Sequence, residues 1–156
     1  MEEARVATGA ELTRVAELAH ELRAELRNER GGPLWEVREA RPEPLDTTLA
    51  ALHARSDAMV AVGTTESVVV GYGLARWEVL RDGTRLGVID EIYVETEARA
   101  IGVGELLVEL LVAFCVDAGC LGVDATALPG DRQAKNFFER AGFTARSLVM
   151  HRSRER

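Results

Sequence analysis

Leu12, Val15, Leu18, Ala19, Leu22 and Leu26 recur at helical spacing, opposite Arg14, Glu17, Glu21 and Arg23, and predict an amphipathic helix. Thr8 and Glu11 have the spacing of a capping box at its start, and a short strand over Ala4 to Ala7 is expected to precede it. Gly31-Gly32-Pro33 should stop the helix in a turn. The segment from Asn28 to Pro44 is the least regular part of the chain, and a second helix is expected over Leu45 to Arg55.

Val-rich and aromatic runs then predict strands over Met59 to Gly63, Ser67 to Val79 and Leu86 to Val94. The turn Thr64-Thr65-Glu66 and the pair Asp82-Gly83 join them into an antiparallel meander. A helix from about Val103 to Ala118 carries Leu106, Leu107, Leu110, Leu111, Phe114 and Cys115 on a broad apolar face, with Gly119 placed as its C-terminal cap. A strand over Leu121 to Ala127, a helix N-capped by Asp131 and ended by Gly142, and a last strand from Phe143 to about Met150 complete the pattern. Arg152 to Arg156 read as a frayed, solvated tail.

Composition narrows the function. The 156 residues are 47% hydrophobic and 29% charged, which describes a single globular domain over 1-156. No apolar run is long enough to span a bilayer, and the first residues lack the pattern of a signal peptide, so no membrane role and a cytoplasmic location are expected. The net charge of −7 disfavours nucleic acid and steers a cationic amine more readily than an acidic substrate. Cys115, Cys120 and the scattered His20, His53 and His151 have no metal-site spacing, so no metal is expected.

Chemistry concentrates at the junction Asp90 to Gly104, where a strand ends, a glycine turn follows and a helix starts. The first N–H groups of a helix lack intrahelical partners and can bind an anion such as phosphate. Spacing alone leaves a ligand-free turn equally open. A dinucleotide fingerprint is not met, because Leu107 stands at the third-glycine position, and the Gly-Lys-Ser/Thr ending of a P-loop is absent.

Arg99-Ala100-Ile101-Gly102-Val103-Gly104 resembles the Arg/Gln-x-x-Gly-x-Gly/Ala motif of the GCN5-related N-acetyltransferases, the GNAT superfamily. Asp131 to Phe143, with Ala134, Phe137, Phe138, Gly142 and Phe143, is similar to the family's Asn-x-x-Ala-x-x-Phe-Tyr-x-x-x-Gly-Phe element, with Asp for Asn and Phe for Tyr. The resemblance covers residues 68-143 well. It implies an α/β fold with a mixed, mainly antiparallel sheet of six or seven strands flanked by about four helices. It further implies acetyl-coenzyme A as cosubstrate, with the pyrophosphate held by the backbone of Ile101, Gly102, Val103, Gly104 and Glu105 near Arg99. The pantetheine arm would then lie along Ile92 and Val94, beside Asp131 and Phe138, in a slot where two strands splay apart. Trp35, Glu36 and Arg38, in the connection that shapes the family's acceptor site, are candidates for substrate contact; an exposed loop with one anchoring tryptophan is the alternative.

Acyl transfer to an amine calls for a carboxylate to take the amine's proton. Asp90 and Glu91 are the candidates. Strand alternation puts Asp90 with Val88, Ile92 and Val94, and Glu91 with Tyr93, and the family's placement of bases favours Asp90; a bulge would move the choice to Glu91. Alternatively, the two carboxylates face solvent or pair with Arg76 or Arg85. Phe138 cannot donate a proton as the family tyrosine does, which leaves Tyr93, Tyr72 or water for the departing thiolate. The expected activity is direct acetylation of a primary amine, on a small molecule or a peptide. The alternative is an acyl-coenzyme A sensor or partner-binding module. Homodimers are common in the family, and a homodimer is expected by that analogy.

Overall fold

Four strands pair antiparallel in chain order in the computed structural model, which describes residues 1–155. Arg156, the last residue of the expected frayed tail, lies outside the described residues. The strands are β1 (Glu2–Val6), β2 (Ala58–Thr65), β3 (Val68–Val79) and β4 (Arg85–Val94), and β5 (Cys120–Ala125) adds to β4 in parallel. The β2–β3 turn is made by Glu66 and Ser67 with φ of 48° and 67°, the left-handed pair that suits a two-residue hairpin.

Helices cover both faces. On one side lie α1 (Leu12–Leu26), α2 (Gly32–Arg38) and α3 (Leu45–His53); Val15, Leu18, Leu49 and Leu52 pack there on Val60, Val62, Tyr72 and Leu74. On the other lies α4 (Val103–Asp117), against Ala61, Ala75 and Ile89. Strand alternation accounts for the division, since Val60 and Val62 face one layer and Ala61 the other. The last helix, α5 (Arg132–Arg140), sets Phe137 against the start of α4.

The seating of α4 depends on strand residues that lack side chains. Val103, Leu107, Leu111 and Cys115, one turn apart and fully buried, point at the sheet. A Cβ at Gly63 would fall 2.4 Å from Val103 Cγ1, at Gly73 2.6 Å from Leu111 Cδ1, and at Gly87 2.6 Å from Cys115 Sγ. The helix therefore lies closer to the sheet than side chains at those positions would allow. Leu106, expected on the buried face, is exposed.

Three expectations are corrected. Among the described residues the sheet has five strands rather than six or seven, and five α-helices stand where about four were expected. The missing strand is the last: residues 143 to 150 form no ladder, and Leu148, Val149 and Met150 are 82%, 87% and 87% exposed. β-propensity marks the segment as extended without supplying an edge beside it. Finally, Gly32 and Pro33 open a helix instead of a turn. Proline suits the first helical turn, where its missing N–H is not needed, and a Cβ at Gly32 would lie 1.7 Å from Leu26 O.

Candidate functional site

β4 and β5 part company midway. Their pairing ends at Ile89 with Ala125, while β4 runs on to Val94. Glu95 N–H donates to Val70 O at 2.9 Å on the β3 side. By antiparallel alternation, Ile92 and Val94 therefore turn their N–H and C=O groups to the other edge, which β5 has left. A cavity of about 60 Å³ opens beside this edge, between Leu22, Leu26 and Trp35 on one side, Asp90, Glu91 and Ile92 on the second, and Thr126, Ala127, Leu128, Asp131, Ala134 and Phe138 on the third.

A β-bulge shapes the middle of the edge. Leu74 pairs with Glu91 and Ala75 with Ile89, so Asp90 is the extra residue. Strict alternation would have put Asp90 and Glu91 on opposite faces; the bulge instead turns both carboxylates to the face of Tyr72, Leu74 and Arg76. This corrects the expected grouping of Asp90 with Ile92 and Val94, which pack toward α4.

The two carboxylates differ in what they can still accept. Glu91 receives Arg23 on both oxygens at 3.0 Å, the Tyr72 hydroxyl at 2.6 Å and the Arg41 backbone N–H at 2.8 Å. Four donors saturate a carboxylate's acceptor sites, and the side chain is wholly shielded from solvent. Burial, followed by the adjacent Glu91 charge, pushes the Tyr72 hydroxyl well above its usual range. Asp90 receives only Arg76, at 2.8 and 3.3 Å, and its side chain is 27% exposed on the cavity. One lone pair on each of its oxygens remains available.

Arg23 was missed in the sequence, where it falls with the polar positions of α1. It occupies the core, donating to Ala19 O and Arg41 O as well as to Glu91. The available signal was its position one turn after Ala19 and one turn before Leu26, both buried.

The glycine turn is held by Arg99. Its Nε donates to Val94 O at 2.8 Å and its Nη2 to both oxygens of Glu25 at 3.0 and 3.1 Å, while its guanidinium lies 5.4 Å from the Tyr93 ring centroid. Ala100 and Gly102 both take positive φ, 72° and 96°, to reverse the chain before α4. Leu106 N–H is bonded to Gly102 O at 3.1 Å, so the N–H groups of Val103, Gly104 and Glu105 are left without intrahelical partners. Gly104 also lets Phe137 approach, since a Cβ there would meet its ring at 3.0 Å. Ile101 is exposed on the turn, whereas the Val103 side chain is buried.

The remaining candidates divide. Asp131 caps α5 by accepting Ala134 N–H at 3.1 Å, and Phe138, buried between Phe137 and Phe143, contributes an apolar wall to the cavity. Trp35 is buried beside Arg23 and lines the same cavity. Glu36 pairs with Arg27 and Arg38 with Glu39, both at the surface away from it. Burial, then Glu21 and Glu25, raises the Tyr93 hydroxyl, which points at Glu21 on α1. Among the described residues no cluster could hold a metal ion, and no helix is long and apolar enough to cross a membrane.

A mixed sheet that opens beside a bulged strand, with that strand running into a glycine turn and a helix start, defines a fold of the acyltransferase class. Residues 16–143 match the acetyltransferase (GNAT) family, and the chain belongs to it. No curated protein matches the chain. Among solved structures, a tetramutant of the BH1408 protein from Bacillus halodurans superposes with a TM-score of 0.81 at 17% identity, covering 96% of this chain and 98% of that one. Glucosamine-6-phosphate N-acetyltransferase from Arabidopsis thaliana gives 0.70 at 20%, covering 99% of each chain. An aminoglycoside acetyltransferase from an uncultured soil metagenomic sample, in complex with sisomicin, gives 0.72 at 19%, covering 97% and 94%. At these identities the likeness is one of fold.

Proposed function

We propose that the protein transfers the acetyl group of acetyl-coenzyme A directly to a primary amine. The observation that carries the reading is the unpaired edge of β4 at Ile92 and Val94, which leads within a few residues to the free amides of Val103, Gly104 and Glu105. The coenzyme's pantetheine arm would add to that edge as a strand does, and its pyrophosphate would take the helix start. Val94 O is already bonded to Arg99, so Ile92 would supply most of the hydrogen bonding near the thioester.

Asp90 is the base in this scheme and Glu91 a positioning residue. An alkylammonium has a pKa of about 10 and is almost wholly protonated at neutral pH. Asp90, directly or through one water, takes its proton; the amine nitrogen then bonds to the carbonyl carbon and gives up a second proton to solvent as the carbon–sulfur bond breaks and the thiolate leaves. Phe138 has no proton to give, Tyr72 is committed to Glu91 and the Tyr93 hydroxyl is turned to Glu21, so solvent protonates the sulfur. The acceptor amine is on a small molecule or a peptide: structural neighbours bear the names of enzymes that acetylate an amino sugar phosphate, an aminoglycoside and a ribosomal protein's alanine.

The same Phe138 supports a second reading, a coenzyme-binding sensor without turnover. Calorimetric titration with acetyl-coenzyme A comes first, with Gly102→Glu as the control that obstructs the turn. Binding lost in the control, followed by thiol release with an amine, supports transfer. Binding without thiol release across an amine panel supports the sensor, and no binding by folded protein removes both.

A further inference from the structure

The two edges of the sheet are built differently. β1 reads Glu2-Glu3-Ala4-Arg5-Val6, and its charges are a common defence of an exposed edge against pairing with another chain. β5 reads Cys120-Leu121-Gly122-Val123-Asp124-Ala125, with one charge and neither lysine nor proline, and its Leu121 is exposed. Among the described residues β5 pairs with β4 alone, and no residue of β5 is fully buried. Its outer N–H and C=O groups are therefore open to a further strand.

The segment after α5 has the character of that strand. Residues 144–155 are exposed throughout and belong to no helix or strand. Arg146 fastens the root of this arm to β5, its Nε donating to Asp124 Oδ1 at 2.7 Å and its Nη2 to Oδ2. Beyond it come Ser147-Leu148-Val149-Met150-His151-Arg152, six residues against the six of β5. In an extended strand Leu148 and Met150 share one face and Val149 takes the other, so both faces carry apolar side chains, as in a strand covered on both sides. Charge points the same way. Residues 143–156 hold four arginines and one glutamate, against fifteen basic and twenty-five acidic residues in the remainder, so a basic arm meets an acidic body.

We propose that this arm adds as a strand to the β5 edge of a second copy of the chain, so that two copies exchange arms about a twofold axis. Each chain offers one arm and one open edge, and a twofold uses both of each without leaving either unpaired. The chain's own β5 does not take the arm: Arg146 already lies beside Asp124, yet the residues that follow form no ladder with that strand and stay exposed. The exchange covers Leu148, Val149 and Met150 of each copy. It does not depend on the acetyl-transfer reading.

The test is light scattering on the full chain at micromolar concentration, with amide hydrogen exchange read by mass spectrometry on the same samples. The expected mass is twice the 17.0 kDa of one chain, with slow exchange over residues 147–152 that becomes fast as dilution yields monomer. The double variant Leu148→Asp, Val149→Asp should raise the dissociation constant by about a hundredfold and leave those amides in fast exchange. Leu121→Asp, on the accepting edge, should act in the same direction. All three side chains are exposed in the single chain, so circular dichroism should show both variants folded. A monomer at every concentration, a dimer indifferent to these substitutions, or a dimer whose residues 147–152 exchange fast overturns the inference. Slow exchange over 147–152 that persists in the monomer also overturns it, by assigning the arm to its own β5.

Discussion

Arg23 and Glu91 are 68 positions apart in the chain and meet as a doubly hydrogen-bonded ion pair, their side chains 2% and 0% exposed. The pair ties α1 to the bulged strand at the point where the cavity opens. Removing one member leaves the other charged and stranded in the core, which costs about 3 to 5 kcal/mol. Glu91→Gln is therefore expected to lower unfolding free energy in urea by that order, with any loss of acetyl transfer accompanied by lost stability. A Glu91→Gln protein as stable as the wild type would remove the structural role.

Asp90→Asn should behave in the opposite way. The new amide oxygen still accepts from Arg76 and nothing changes in the core, so the urea midpoint should move little. The rate of thiol release should fall by roughly 10²- to 10⁴-fold, the usual contribution of a general base, with acetyl-coenzyme A affinity retained. An unimpaired rate would sink the assignment.

What the sequence conveyed follows from how local each feature is. The β2–β4 meander, α4 and the Asp131 cap are written in short-range patterns and stand within a residue or two of expectation. The bulge at Asp90 is a property of two paired strands, and no alternation within one strand reveals it. Arg23 reads as surface because a charged residue at the margin of an apolar stripe usually is; only the arrival of Glu91 from the sheet makes its burial tolerable. The strand missing after Phe143 illustrates the same limit, since its composition is local and its partner would not be.

The close seating of α4 makes its strand glycines sensitive by position. Gly73→Ala places a methyl 2.6 Å from Leu111 Cδ1 and should cost about 1 to 3 kcal/mol through overpacking. Gly122, in β5, has open space around its added Cβ and an ordinary backbone. Gly122→Ala should be neutral or slightly stabilising, and paired thermal melts of the two variants check the contrast.

At the helix start, Gly102 is required by conformation rather than by contact. Its φ is +96° and an added Cβ meets nothing within 4 Å. Gly102→Ala should therefore cost about 1 to 2 kcal/mol from left-handed strain and weaken acetyl-coenzyme A binding by distorting the amides that follow. Gly102→Glu should add charge repulsion against phosphate and abolish detectable binding. If calorimetry finds wild-type affinity in both, the coenzyme's phosphates bind elsewhere.

Away from the site, Arg5 and Glu11 fasten β1 to the start of α1. Arg5 donates to both carboxylate oxygens at 2.8 Å and Thr8 N–H to one of them at 2.9 Å. Arg5, aided by Thr8 against the opposing effect of partial burial, holds the Glu11 carboxyl down to about 2, against 4.5 when unperturbed. A carboxyl depressed in the folded state stabilises it when ionised, fully so above the unfolded value, and the contribution disappears as pH falls from 4.5 through 2. The Arg5 side chain is 38% exposed, so solvent screening reduces the gain to about 1 kcal/mol. Urea unfolding of wild type and Glu11→Gln should therefore differ by about that amount at pH 6 and converge near pH 2. A difference that stays constant across this range would locate the effect in packing instead of charge.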